Sequence, residues 1–129
     1  MSNDVFERGM KLRKQVLGAD YVEKSMAAAD DFSRPMQELS TEYCWGYVWD
    51  RPGLELRERS LINLAMISAL NRPHELKLHV KAALNNGLTR LQIREVLLQV
   101  AVYCGVPAGI DSVRIAREAF AEVDAAKQA

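Results

Sequence analysis

A glutamate and a histidine one helical turn apart are the residues of this 129-residue sequence whose spacing most directly suggests chemistry. Glu75 precedes His79 by four positions, so the two side chains are neighbours on a helix. His79 also lies beside an apolar stripe of Leu76, Val80 and Ala83, which predicts that its ring faces inward. A carboxylate beside a half-buried imidazole raises the imidazole pKa and fixes the ring, which suits proton transfer. A surface Glu–His pair without a function is the alternative interpretation.

A second group of residues combines aromatic rings with arginines. Trp45 and Trp49 precede Arg51 and Arg59, and arginine offers a forked pair of donors to a carboxylate between aromatic walls that exclude water. The group therefore predicts a pocket for a small flat anion. Arg51 and Arg59 are both candidate anchors, and Arg59 is favoured because a guanidinium buried on a nearly apolar helix needs an anionic partner. Packing in a core or at a subunit contact is the alternative.

The remaining candidate groups are a tyrosine hydroxyl and two thiols. Tyr103 lies at a predicted helix end and could donate a hydroxyl proton, although tyrosine at such a position more often packs. Cys44 and Cys104 match no metal or redox spacing, and no secretory segment is recognised, so we expect reduced thiols in a cytoplasmic protein. His74 and His79 are the only histidines, and nucleotide-binding and metal-binding motifs are absent, which argues against a nucleotide or metal cofactor.

Apolar residues recur at helical spacing along the chain, and the helices that this spacing predicts carry the candidate groups. Stops at Gly18, at residues 51–53, at residues 85–87 and at Gly105 divide the chain into six or seven helices, and no alternating run of strand length competes. Ser33 is predicted to cap the helix that follows it, and Thr89 and Gln92 form a capping-box pattern. The helix over residues 55–70 is apolar almost all round, which places it in a core or between subunits. The sequence predicts one all-α domain over residues 1–129.

Composition excludes several classes of protein. Hydrophobic residues make up 49% of the chain and charged residues 26%, a balance that argues against disorder. Seventeen basic and seventeen acidic residues cancel, and a nucleic-acid partner is therefore not expected. The longest apolar runs are interrupted by Gln99 and are too short to span a membrane.

Five stretches in order resemble the carboxymuconolactone decarboxylase family, within the alkylhydroperoxidase-like superfamily. They are GMKLR at 9–13, WGYVWDRPGL at 45–54, ELKLH at 75–79, AALNNG at 82–87 and YCGVPA at 103–108. The second stretch resembles the 4-carboxymuconolactone decarboxylase branch most specifically. Tyr47 and Cys104 depart from the family pattern, and an acidic residue is common at position 47, so the substitution there bears on the identity of the substrate.

The resemblance implies an alkylhydroperoxidase-like fold and the decarboxylation of 4-carboxymuconolactone to 3-oxoadipate enol-lactone in protocatechuate degradation, part of the β-ketoadipate pathway. This dicarboxylate lactone is its own electron sink, so neither a cofactor nor a metal is expected. His79 would be the principal catalytic residue, assisted by Glu75. Substrate binding would fall to Arg59, Arg51, Trp45, Trp49 and Tyr103. The family also implies a homo-oligomer, commonly a hexamer built of dimers or trimers.

Two alternatives remain open at the level of sequence. The chain could be a non-catalytic binding member of the same fold, in which Glu75 and His79 are structural. It could also be a thiol peroxidase of the wider superfamily, whose hallmark CxxCxxxH ends at the histidine matching His79. The two cysteine positions of that motif hold Arg72 and Glu75 here, which disfavours the peroxidase because its chemistry requires thiolates.

Overall fold

A computed structural model of the protein describes residues 2–128, and this range contains helices and no β-strand. Its elements are α1 (Ser2–Leu17), α2 (Ala19–Ala28), α3 (Arg34–Leu39), a π-helical stretch that we call the π segment (Ser40–Trp49), α4 (Leu56–Ala69), α5 (Pro73–Asn85), α6 (Arg90–Cys104) and α7 (Val106–Gln128). The prediction of an all-α fold is confirmed. None of the helices in this range combines the length and apolar character needed to cross a bilayer.

Local sequence signals account for most of the helix ends. Gly18 and Gly87 both adopt φ of 97°, a left-handed conformation that glycine tolerates without steric cost, and they follow α1 and α5 as predicted. Thr89 Oγ1 accepts from the Gln92 amide at 3.1 Å and Gln92 Oε1 accepts from the Thr89 amide at 2.9 Å, so the predicted capping box is confirmed. The predicted cap at Ser33 is wrong, because its hydroxyl instead accepts from the Asp30 amide at 3.1 Å.

The chain forms two compact units, the first ending at Glu55 and the second beginning at Leu56. The single domain predicted over residues 1–129 therefore stays a prediction. In the first unit, α1 packs along the π segment and against α2. In the second unit, α4, α5, α6 and α7 surround a core of buried aliphatic side chains. That core consists of Leu64, Leu76, Val80, Ala83, Leu88, Ile93, Leu97, Ile115, Ala116 and Ala119.

Two glycines allow the close contact between α1 and the π segment. A Cβ added to Gly9 would overlap the carbonyl oxygen of Thr41 and the backbone of Gly46, and a Cβ added to Gly46 would overlap the carbonyl oxygen of Val5. Any larger side chain at either position would therefore push the two helices apart, and the first unit depends on both positions remaining glycine.

Replacing Gly9 by Ala is expected to lower the free energy of unfolding by about 1–3 kcal/mol, because the added methyl meets backbone that has no room to relax. Gly53→Ala is the matched control in the same unit, since no heavy atom lies within 4 Å of the position its Cβ would take. Chemical denaturation of the two variants measures the difference. Equal stability of both variants would show that α1 and the π segment are not tightly packed at Gly9.

The π segment is the element that the sequence does not predict. The sequence predicts that its residues continue the α-helix that follows Ser33, up to the stop at residues 51–53. Instead, the Thr41 hydroxyl donates to the Gln37 carbonyl at 2.8 Å, which competes with the backbone for that acceptor at the point where the helix widens. The close approach of α1 at Gly9 and Gly46 then fixes the wider turn.

α4 is the helix predicted to be apolar almost all round, and it buries only one of its sides. Ser60, Leu64 and Ser68 of α4 are buried, whereas Ile62 is 44% exposed and Met66 50% exposed. The second unit thus presents an apolar strip of α4 to its surroundings. The location of this helix between subunits stays a prediction.

Candidate functional site

The candidate acid–base pair lies on α5. Leu76 and Val80 of this helix are buried, which turns the adjacent His79 ring inward, so that His79 is half-buried and its Nδ1 atom is shielded from solvent. Glu75 is exposed one turn earlier. The pair therefore occupies one side of α5, as its spacing predicts, with the imidazole at the edge of the core and the carboxylate in solvent.

The direction of the His79 pKa shift predicted from the sequence is wrong. Burial disfavours the imidazolium and lowers the pKa of His79 to about 4, although the negative charge of Glu75 raises that pKa in part. Desolvation outweighs the carboxylate because the ring is shielded while the carboxylate is exposed to water. His79 is therefore neutral near pH 7, with one ring nitrogen a hydrogen-bond donor and the other an acceptor.

The lowered pKa of His79 predicts a loss of stability in acid. An ordinary histidine has a pKa of 6.5, so between pH 6.5 and about 4 the unfolded chain binds a proton that the folded chain does not. The free energy of unfolding should therefore fall as the pH drops through this range. Denaturation at a series of pH values should show that His79→Gln weakens this dependence, whereas His74→Gln, at an exposed position of the same helix, retains it. The same pH dependence in parent and His79→Gln would contradict the shift.

Arg59 lies in the first turns of α4, in the same unit as His79. Its Nε atom is shielded from solvent, and the neighbouring Ser60 hydroxyl accepts from Asn86 Nδ2 at 2.9 Å, which ties the start of α4 to the end of α5. His79 is seven residues before Asn86, or about 10 Å along the α5 axis at 1.5 Å per residue. Arg59 and His79 thus lie on the paired helices α4 and α5, at different positions along the helix axes.

Trp45, Trp49 and Arg51 lie in the first unit, whereas Arg59 lies in the second. Trp45 and Trp49 are 3% and 5% exposed, and their ring centroids lie 4.6 Å apart with an interplanar angle of 29°. On the exposed side of the π segment, Tyr43 and Tyr47 stack at 6.3 Å, and the Arg51 guanidinium carbon lies 5.7 Å from the Tyr47 ring centroid. The structure thus places the Trp pair in packed surroundings and Arg51 over a tyrosine face, a favourable cation–π arrangement.

Tyr103 lies on an open cleft of about 640 Å³ between α4 and α6. Its side chain is 81% exposed, and the cleft is mainly apolar. The other lining residues are Leu61, Ile62, Ala65, Gln92, Glu95, Val96, Gln99, Val100 and Cys104. His79, Glu75 and Arg59 are not among the residues that line this cleft, so Tyr103 and the acid–base pair occupy different surroundings within the second unit.

A buried arginine is the residue whose surroundings the sequence did not indicate. Arg13 of α1 is 6% exposed. Its Nη1 donates to Thr41 Oγ1 at 3.0 Å and its Nη2 donates to Gln37 Oε1 at 2.9 Å. An arginine at an apolar helical position was the available signal, since a buried charge calls for partners.

Comparisons with known proteins define the class. The model of the carboxymuconolactone decarboxylase family matches residues 34–118, and the chain belongs to this family, whose fold is alkylhydroperoxidase-like. It is 47% identical over 114 residues to nitrosuccinic acid decarboxylase from Metarhizium robertsii, covering 88% of this chain and 80% of that protein. It is 35% identical over 123 residues to 4-carboxymuconolactone decarboxylase from Acinetobacter baylyi, covering 95% of this chain and 92% of that protein. These relatives support a decarboxylase, a carboxy-lyase, for this chain.

Proposed function

We propose that this chain decarboxylates a small dicarboxylic acid that carries its own electron sink. Nitrosuccinic acid bears a nitro group, and 4-carboxymuconolactone bears a lactone carbonyl. In either acid an oxygen of the substrate can accept the electrons that the departing CO2 leaves behind, so the substrate itself supplies the chemistry of an electron-sink cofactor. The identity to two decarboxylases over most of the chain is the observation that carries this proposal.

His79 is proposed to stabilise the charge that develops on the substrate. A neutral imidazole, which the pKa of about 4 implies near pH 7, donates one N–H to the oxygen that becomes negative. Glu75 orients the ring from one turn earlier. The negative charge of the bound intermediate raises the imidazole pKa, so that His79 takes up a proton from solvent and passes it to a carbon of the intermediate. That carbon is the one that has lost CO2 in the nitro acid, and the ring carbon beside the carbonyl in the lactone.

A guanidinium is proposed to hold the carboxylate that stays on the substrate. Arg59 is preferred over Arg51 because it lies on the helix that pairs with α5, within the same unit as His79. Trp45, Trp49 and Tyr103 stay predictions as substrate-binding residues. When one carboxylate is held firmly, the other has fewer contacts with the protein. This second carboxylate is the one that departs as neutral CO2.

Between the two acids, the higher identity favours nitrosuccinic acid as the substrate, with conversion of 4-carboxymuconolactone to 3-oxoadipate enol-lactone in protocatechuate degradation as the second candidate. The test is kcat/KM of the purified chain on each acid, followed by ultraviolet absorbance and CO2 release. We expect turnover of at least one acid, with the nitro acid preferred. Turnover of neither acid would overturn the proposal and favour a non-catalytic binding member of the fold.

A cytoplasmic homo-oligomer, specifically a hexamer, is proposed as the working form. Exposed aliphatic side chains on α4, α6 and α7 support this assembly, because isolated monomers rarely keep so much apolar surface in contact with water. They include Ile62, Met66, Leu98, Val102, Val106 and Ile110. The zero net charge adds no repulsion against association.

The thiols are proposed to have no part in turnover. Cys44 and Cys104 are both free of disulfide bonds, and burial raises the pKa of the Cys44 thiol, which keeps it protonated and a weak nucleophile. The double variant Cys44→Ser with Cys104→Ser should therefore keep kcat within a few-fold of the parent value in the decarboxylation assay. Complete loss of turnover in a folded double variant would instead favour thiol chemistry.

A further inference from the structure

Five large apolar or aromatic side chains of the first unit form an exposed stripe that begins in the turn before α3 and continues along α3 and the π segment. Successive members are three or four positions apart, a spacing that places residues on one side of a helix. Each is between 56% and 95% exposed, whereas Thr41, Trp45 and Trp49 of the π segment are buried. The exposed stripe consists of Phe32, Met36, Leu39, Tyr43 and Tyr47.

The exposed stripe is larger than the apolar patches of ordinary monomers. A side chain of this size has an accessible area of about 200 Å², so the exposed fractions amount to about 700 Å² in total. The largest apolar patch on a typical monomer covers about 300–600 Å², whereas an interface of standard size buries about 800 Å² on each partner. With its polar rim, the exposed stripe has the area that one side of a stable dimer needs.

The two ends of the exposed stripe carry opposite charges. Asp31 is exposed next to Phe32 at one end. Arg51 is exposed at the other end, with its guanidinium carbon 5.7 Å from the Tyr47 ring centroid. If two copies of the stripe pair antiparallel, Asp31 of each copy faces Arg51 of the other, whereas parallel pairing brings like charges together. The charges therefore favour a second copy of this chain in the antiparallel orientation.

The order of side chains in the exposed stripe also fits antiparallel pairing. Under a two-fold axis, a residue at the centre of the interface meets its own counterpart. Leu39 is that residue, because it lies seven positions after Phe32 and eight before Tyr47. Phe32 of one copy then lies near Tyr47 of the other, and Met36 lies near Tyr43. Aromatic–aromatic and sulfur–aromatic contacts of this kind are favourable.

We propose that the exposed stripe is a two-fold interface between two copies of this chain, paired antiparallel with Leu39 against Leu39. The interface lies in the first unit and is separate from the exposed aliphatic face of α4, α6 and α7 in the second unit. It does not depend on which reaction the chain catalyses, so its test requires no substrate.

The experiment measures the mass of the parent and of Leu39→Glu and Leu39→Lys by sedimentation equilibrium, with each variant alone and with the two mixed in equal amounts. Glutamate and lysine are both good helix formers, so each is compatible with α3. Leu54→Glu is the matched control, since Leu54 is an exposed leucine of the same unit outside the stripe. Thermal unfolding checks that every variant is folded.

We expect Leu39→Glu and Leu39→Lys each to have half the mass of the parent, because two like charges then meet at the axis. The mixture should return to the mass of the parent, because glutamate then faces lysine, and Leu54→Glu should keep that mass throughout. Only a contact of residue 39 with itself predicts this restoration. A monomeric parent, the parent mass in either folded variant alone, or a mixture that stays at half the mass would overturn the proposal.

Phe32→Ser tests the same interface if the Leu39 variants do not fold. Phe32 is 95% exposed, so its side chain contributes little to the packing within the chain. The antiparallel pair buries this ring, and its loss should raise the dissociation constant of the two-fold contact by roughly tenfold or more. A dissociation constant equal to that of the parent would overturn the proposal.

Discussion

Replacing His79 by Gln is expected to lower kcat by roughly 10²-fold or more, the usual scale for a positioned acid or base. Glutamine keeps hydrogen-bonding groups of similar reach but cannot take up and release a proton. The imidazole is half-buried at the core edge with a pKa of about 4, and the charge of the bound intermediate is what would bring it into a range where it transfers a proton.

His74→Gln is the matched control, because His74 is exposed in the first turn of the same helix. The two variants should unfold at similar temperatures at neutral pH. At that pH the loss of stability in acid that His79 causes does not enter the comparison. Steady-state kinetics on the accepted acid separate catalysis from folding. A kcat near the parent value for His79→Gln would show that His79 is a structural histidine.

Replacing Arg59 by Lys should lower kcat/KM by roughly 10- to 100-fold. Lysine keeps the charge but loses the planar fork that binds a carboxylate through two parallel hydrogen bonds. A hydrogen bond to a charged group contributes about 1.5–3 kcal/mol, which corresponds to this range of fold-changes. The loss should be larger for dicarboxylic acids than for a monocarboxylic analogue, because only the former present a second carboxylate.

Arg57→Lys controls for the change of residue type, since Arg57 is exposed on the same turn of α4 and donates to Gln92 Oε1 at 3.1 Å. Arg51→Lys addresses the competing anchor. A fall in kcat/KM for Arg51→Lys together with an unchanged value for Arg59→Lys would transfer the anchoring role to Arg51. Unchanged values for both variants would contradict the anchoring of the substrate by Arg51 or Arg59.

The helices could be predicted from sequence because their limits depend on local chemistry. Gly18 and Gly87 adopt left-handed conformations, and Thr89 with Gln92 satisfies the first amides of α6, so each signal acts over a few residues. The π segment could not be predicted in this way. Its geometry depends on α1 approaching at Gly9, more than thirty positions earlier in the chain, and on the Thr41 hydroxyl.

In the candidate site, too, sequence spacing predicts which residues are neighbours but not how deeply they are buried. The four-residue separation of Glu75 and His79 was enough to place both on one side of α5. The direction of the His79 pKa shift was not predictable from that spacing, because it depends on how deeply the other helices of the unit bury the ring. The burial of Arg13 could not be predicted either, because its partners Gln37 and Thr41 lie 24 and 28 positions later in the chain.

The central claim is that this chain removes CO2 from a dicarboxylic acid and delivers a proton to a carbon of the anion that remains. The most direct measurement is a reaction in deuterated water with nitrosuccinic acid and, separately, 4-carboxymuconolactone, in which CO2 is quantified and the product is examined by NMR. We predict one CO2 per molecule of acid consumed and delivery of a deuteron to the carbon that carried the lost carboxylate in the nitro acid, or to the ring carbon beside the carbonyl in the lactone. Both rates should be lower by roughly 10²-fold or more in His79→Gln. Consumption of neither acid above the rate without protein would contradict the account.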